Sequence, residues 1–181
     1  MFIIKSIAYA GAIMIAAPAV AHAGSRSSGS PWEGTWDLVA AYDLMSDGSH
    51  AAPYGKAPQG RMIVDDDGRY MIESYGDTPL PFAAGAKAKG TADEFRAAVM
   101  SASVHYGRVD TDAAACTLIF HIERAAYPNW NGVAQTRAFS FDGTSLSYTQ
   151  PRTAETSSAP VTVWRRLTEP AAPALPPVRC R

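Results

Sequence analysis

The 181-residue sequence is 47% hydrophobic and 18% charged, with 16 basic and 17 acidic side chains and a formal net charge of −1. Charges of both signs are mixed along the chain, so no basic stripe is offered to nucleic acid. The length is that of one main domain, and no run after the first two dozen residues is apolar enough to span a membrane.

Lys5, an apolar run from Ile7 to Val20 and the small-residue end Ala21-His22-Ala23 make the pattern of a secretory signal peptide, residues 1–23, cleaved after Ala23. The run is short of the about 20 residues a spanning helix needs, and Pro18 interrupts it. Cleavage removes Lys5 and leaves the mature chain at −2. The expected product is a soluble protein of the periplasm or the medium. Residues 24–30, GSRSSGS, have nothing to bury and read as a flexible arm.

The folded region is expected over 31–168, and its periodicity is mostly β. In TWDLVAAYDL, Trp36, Leu38, Ala40 and Tyr42 fall on one face. SDGS at 46–49 supplies an Asp-Gly turn. GRMIVDDDGRYMIESYG reads as a hairpin, with Met62 and Val64 on one face and Tyr70 and Ile72 continuing the second strand. Its three Asp form a solvated turn, since a calcium loop needs more ligands at wider spacing. One short helix is inserted near 91–103: Thr91 and Glu94 form a capping box, and Phe95, Ala98, Val99 and Ala102 form a stripe expected to pack on the fold.

Short strands then resume: SVHYGRVD, CTLIFHIER, a hairpin of TRAFSFDG and SLSYTQ turning on Asp142-Gly143, and PVTVWRRL. About eight short strands with turn chemistry between them mean a sandwich or a closed barrel. From Glu169 the chain carries four prolines and reads as a disordered tail, 169–181. The two cysteines, Cys116 in a strand-like run and Cys180 in that tail, are either a bridge pinning the tail or a buried and an exposed thiol. No Cys/His spacing suggests a metal, and no cofactor motif is present.

Gly34-Thr35-Trp36 opens the first strand and VWRRL closes the last. Between them come PYG, PQGRMIVDDDGRYM, LPFAAG, GTADEFRAA, HYGRVD, FHIERAAYPNWNG and TRAFSFDGTSLSYT. This order of pieces resembles the bacterial and fungal lipocalin-like domain family over nearly all of 32–167. The resemblance implies a closed antiparallel up-and-down β-barrel of the calycin type, stoppered at one end by Trp36 with an Arg of the last strand, Arg165 or Arg166, across its face. Trp32 is then a lid or an outer cover. The family often pairs His residues before PNW; here that position reads Phe120-His121, which puts two-imidazole chemistry in doubt.

Alternate barrel residues face inwards, so the side chains around a cavity can be proposed. His121 and Glu123 share one face of their strand, about 7 Å apart by simple rise; Phe120 and Ile122 share the other. Which face is internal stays open, with the apolar pair the better core. One of His105 and Tyr106 faces inwards. Trp130 sits in YPNWNG, either a lid or an anchor packing its loop on the wall. Arg137 shares a face with Phe139; turned inwards it would suit a carboxylate or phenolate, turned outwards it meets water. Tyr54, Tyr75 and Tyr148 add phenols for an aromatic or terpenoid-like ligand.

No nucleophile elbow, phosphate loop or HExxH occurs. The first reading is an exported protein binding a small hydrophobic or aromatic molecule in the barrel. The alternative is a barrel enzyme of isomerase, cyclase or lyase type using His105, His121, Glu123 and Tyr54 as acid/base groups. A third is a packed module making contacts through its Pro-rich tail.

Overall fold

The computed structural model describes residues 30–152 and 157–167. The signal-like segment, nearly all of the arm, the Pro-rich tail and Cys180 lie outside the described residues. Nine strands form one antiparallel sheet: β1 (Gly34–Leu44), β2 (His50–Ala51), β3 (Gln59–Val64), β4 (Arg69–Tyr75), β5 (Ala102–Asp112), β6 (Thr117–Ala125), β7 (Ala134–Phe141), β8 (Ser145–Thr149) and β9 (Ala159–Arg166). Every strand from β3 onward pairs with its successor, and β1 pairs with both β3 and β9. The β1–β9 ladder, from Trp36↔Arg166 to Leu44↔Ala159, closes an eight-stranded barrel, with the two-residue β2 as an extra rim strand. Closure leaves the barrel no free edge.

The turns at one end are short. Asp65–Gly68 joins β3 to β4, and Asp142–Thr144 joins β7 to β8; Gly68 (φ 80°) and Gly143 (φ 103°) take the left-handed backbone that these tight turns require. In the second turn Asp142 accepts from the amides of Thr144 and Ser145, which holds its carboxyl below the usual range. The connection between β5 and β6 contains Cys116 at φ 53°, outside the strand in which the sequence suggests it. Cys116 is disulfide-bonded. The long connections 45–58, 76–101 and 126–133 lie at the other end, where β8 also ends and β9 begins.

The short-turn end is filled. Trp36 is fully buried, its indole N–H donating to the Trp32 carbonyl at 2.9 Å. The Arg166 guanidinium lies 4.4 Å over the Trp36 ring and donates to the Pro31 carbonyl at 2.8 Å. Trp32 is also core, donating to Thr111 Oγ1 at 2.7 Å and meeting Phe139 and Phe141 edge-on at 5.2 Å. It therefore belongs to the stopper and is neither a lid nor an outer cover. Arg165, next to Arg166, points away on the exposed outer face, as strand alternation demands. The chain enters at Ser30 and leaves at Leu167, whose amide donates to the Thr35 carbonyl at 2.7 Å, both at this end.

Two irregularities decide which side chains point inwards. A bulge between Leu38 and Ala40 shifts the β1 register, so the buried residues run Trp36, Leu38, Ala41 rather than Trp36, Leu38, Ala40. A second falls between Tyr106 and Gly107, where a Cβ on Gly107 would collide with the His121 carbonyl.

Helix α1 (Ala92–Met100) carries the capping box: Thr91 Oγ1 accepts from the Glu94 amide while Glu94 accepts from the Thr91 amide. The expected packing of its stripe on the barrel does not occur. Val99 and Met100 are exposed, Ala102 already begins β5, and Phe95 packs only within its own connection, on Phe82 at 5.2 Å. The helix caps a long rim connection and buries none of its residues. No helix among the described residues is long and apolar enough to cross a membrane.

Candidate functional site

At the long-loop end the barrel is hollow. A cavity of about 220 Å³ opens between β1, β4, β5, β7, β8, β9 and the rim loops. Ser74 on β4, His105 on β5, Arg137 on β7 and Tyr148 on β8 line it, each buried and each on the inward face of its strand. Ala41, Ile72 and Val161 give it apolar wall, and Tyr54, Trp130, Asp43 and Gln150 surround its mouth from the rim. An engineered apolar cavity of about 150 Å³ admits benzene; this one has room for a substituted single ring but not for a whole terpenoid skeleton.

Phe120 lies under the polar residues and organises them. Its ring meets Tyr70 at 5.1 Å, Tyr148 at 5.4 Å and His105 at 6.2 Å, and the Arg137 guanidinium lies 4.5 Å above it. Arg137 is also 4.9 Å over the Tyr148 ring, so the cation lies against two adjacent rings that pack on each other. Its Nη2 donates to Gln135 Oε1 at 2.7 Å.

His105 Nδ1 and the Tyr70 hydroxyl share a hydrogen bond of 2.9 Å. Burial, then the nearby Arg137 charge, lowers the His105 pKa to about 3, so the imidazole is neutral at physiological pH. Burial raises the Tyr70 phenol well above its ordinary value, with Arg137 working the other way. Tyr148 is likewise raised by burial, with the nearby Arg137 charge working the other way. At neutral pH the buried polar set is thus one permanent cation among neutral donors and acceptors.

The rim residues are held by backbone ties. Asp77 accepts from the amides of Lys56 (2.7 Å) and Ala57 (3.3 Å), and its own amide donates to the Tyr54 carbonyl at 3.0 Å. These bonds fasten the β4–β5 connection to the loop that carries Tyr54. Hydrogen bonds from Thr78 first, then from Ala57 and Lys56, hold the Asp77 carboxyl below the usual range. Burial raises the Tyr54 phenol, against a hydrogen bond with Ser103. Trp130 ends a 3-10 turn begun by Pro128, edge-on to His105 at 6.0 Å and to Tyr127 at 5.7 Å. Asn131 Oδ1 anchors that loop by accepting from the Ala125 amide at 2.8 Å.

Of the residues proposed from sequence, the cavity brings together Tyr54, His105, Trp130, Arg137 and Tyr148. His121, Glu123, Tyr75 and Phe139 lie elsewhere. Phe120 and Ile122 take the inward face of β6, which turns His121 and Glu123 outwards beside a surface groove; His121 Nε2 lies 3.0 Å from Asp110 Oδ2. Tyr75 is one step out of phase with Tyr70, Ile72 and Ser74, so it faces solvent and donates to Glu73 at 3.3 Å. Phe139 faces inwards but packs on Trp32, inside the stopper. Tyr70, Ser74 and Ser103 were not singled out from sequence. Inward phase with Ile72 was the available signal for the first two. Ser103 had none, because its strand begins where the helical pattern ends.

Among the described residues no group of three or more His, Cys, Asp or Glu is placed to hold a metal ion. No curated protein matches the sequence. The family model for the lipocalin-like domain matches residues 33–167. With a barrel closed β1 to β9, its first-strand Trp under a last-strand Arg, and that match over most of its length, the chain belongs to the lipocalin-like domain family.

Proposed function

We propose that this protein is exported and binds a small hydrophobic or aromatic molecule in the mouth-end cavity of its barrel. The cavity itself carries the reading: about 220 Å³, with apolar walls, a few convergent polar groups and a preformed frame of strands. Membership of the lipocalin-like family supports a small-molecule role. The signal-like segment 1–23, with its Ala21-His22-Ala23 end, supports export.

Trp130 stands at the mouth, so tryptophan fluorescence reports on occupancy. Titration with single-ring aromatic compounds should give a saturable change that Trp130→Phe removes, while Trp32, Trp36 and Trp164 remain buried reporters of the fold. If no such compound gives a saturable signal or raises the melting temperature, the binding reading fails. Export predicts a mature mass beginning at Gly24 in the periplasmic or extracellular fraction; a full-length product in the cytoplasm would refute it.

One observation favours a second reading, a barrel enzyme acting on a small metabolite. The His105–Tyr70 pair is a neutral imidazole bonded to a phenol at a cavity wall, an arrangement able to relay a proton. Tyr54 is then the other acid/base group, and His121 and Glu123 drop out of the set because they face solvent. Turnover unchanged in His105→Ala would exclude this reading.

A further inference from the structure

We propose that the cavity is built for a small carboxylate, and that Arg137 is the residue that holds the carboxyl group. This rests on the binding reading above and specifies the chemistry of the ligand. Arg137 is 2% exposed, lines the cavity, and is charged at any physiological pH. A buried cation is costly unless it is paired with an anion. Among the described residues, however, none of the ion pairs includes Arg137; they join Arg61 to Asp37, Arg108 to Asp110 and His121 to Asp110 on the outer surface.

The contacts Arg137 does make are with neutral groups. Phe120 and Tyr148 supply ring faces, and Gln135 takes one N–H of Nη2. Its Nε, though buried, meets no hydrogen-bond acceptor among the described residues. The two adjacent aromatic rings, 4.5 and 4.9 Å from its central carbon, hold the guanidinium in place. A planar carboxylate fits a guanidinium edge through two parallel hydrogen bonds, and Tyr148 lines the same cavity.

Charge and size narrow the class. Among the described residues Arg137 is the only permanent cation lining the cavity, and Asp43 at the mouth adds a negative charge. A dianionic phosphate would be left with net negative charge in this setting, whereas a monocarboxylate is matched one to one. Beyond the carboxyl group, Ile72, Val161 and Trp130 surround a space suited to one aromatic ring or a short branched chain.

Benzoate and its neutral isostere benzamide are the probes, titrated into the full mature protein in chloride-free buffer and followed by calorimetry and Trp fluorescence. Benzoate should bind at least tenfold more tightly than benzamide. In Arg137→Met, benzoate should weaken at least tenfold while benzamide changes less than threefold. Equal affinity of the two probes for the wild type would overturn the carboxylate assignment and leave the cavity reading intact. Failure of both to bind would overturn the cavity reading and this proposal with it. Chloride binding more tightly than benzoate would show a site for inorganic anions and would also overturn the assignment. If Arg137→Met does not fold, the wild-type ratio decides, with Arg137→Lys as the variant: it keeps the charge, loses the fork, and should show an intermediate preference for benzoate.

Discussion

Acid should weaken this fold through one buried imidazole. Burial, with Arg137 second, lowers the His105 pKa from 6.5 to about 3. Between those values the unfolded chain binds a proton at this position and the folded chain does not. Stability contributed by neutral His105 is therefore fully present above pH about 6.5 and is lost as the pH falls towards about 3, with a slope approaching about 1.4 kcal/mol per pH unit. Integrated from pH 7 to pH 5, the loss is about 2 kcal/mol. Asp47, Asp77, Glu94 and Asp142 also have lowered pKa values, but they are solvent-exposed and titrate at lower pH. His105→Gln keeps an amide beside the Tyr70 hydroxyl and has nothing to titrate. Urea unfolding of both proteins at pH 7 and pH 5 separates the imidazole from every other group. The wild type should lose about 2 kcal/mol more than the variant over that interval. Equal losses would mean that the folded protein accommodates the proton, and that the cavity wall is wetter than its burial implies.

Three further outcomes follow from the geometry. Trp36→Ala should cost about 3–5 kcal/mol in urea unfolding, because it empties the stopper and removes the ring beneath the Arg166 guanidinium; a loss under about 1 kcal/mol would mean the stopper does not hold the barrel closed. Gly107→Ala should destabilise by more than about 2 kcal/mol or abolish soluble expression, because the new Cβ meets the His121 carbonyl across the β5–β6 ladder; normal thermal stability would contradict the close approach. Glu94→Ala removes the acceptor for the Thr91 and Ala83 amides and should loosen the start of the helix. It should speed amide exchange only within the 76–101 connection, and exchange spreading into β4 or β5 would show that the helix supports the barrel after all.

The barrel was legible because its determinants are local. Two-residue alternation marks the strands, Asp47-Gly48 and Asp142-Gly143 mark turns, and Thr91 with Glu94 marks the helix start. The G-x-W at 34–36 and the closing VWRRL then carried the family resemblance. What escaped depends on phase and on long-range partners. The bulge after Leu38 flips the inward residue from Ala40 to Ala41, and no composition signal announces it. Arg165 and Arg166 are chemically identical neighbours, and only the register against Asp37 and Trp36 separates the outward one from the one over the indole. Tyr70 needed knowledge of what stands across the β4–β5 ladder, since its role comes from a bond to a residue 35 positions away. The stripe on α1 has helical spacing, but spacing alone does not say whether a surface exists to receive it.

Because Ser30 and Leu167 both stand at the stoppered end, a graft on either side of the barrel begins on the face opposite the cavity. A surface linker, a fluorescent partner or a lipid attached there would leave ligand access unobstructed. Tethered molecules would face their openings to the surrounding fluid, an orientation suited to immobilised capture without any redesign of the loops.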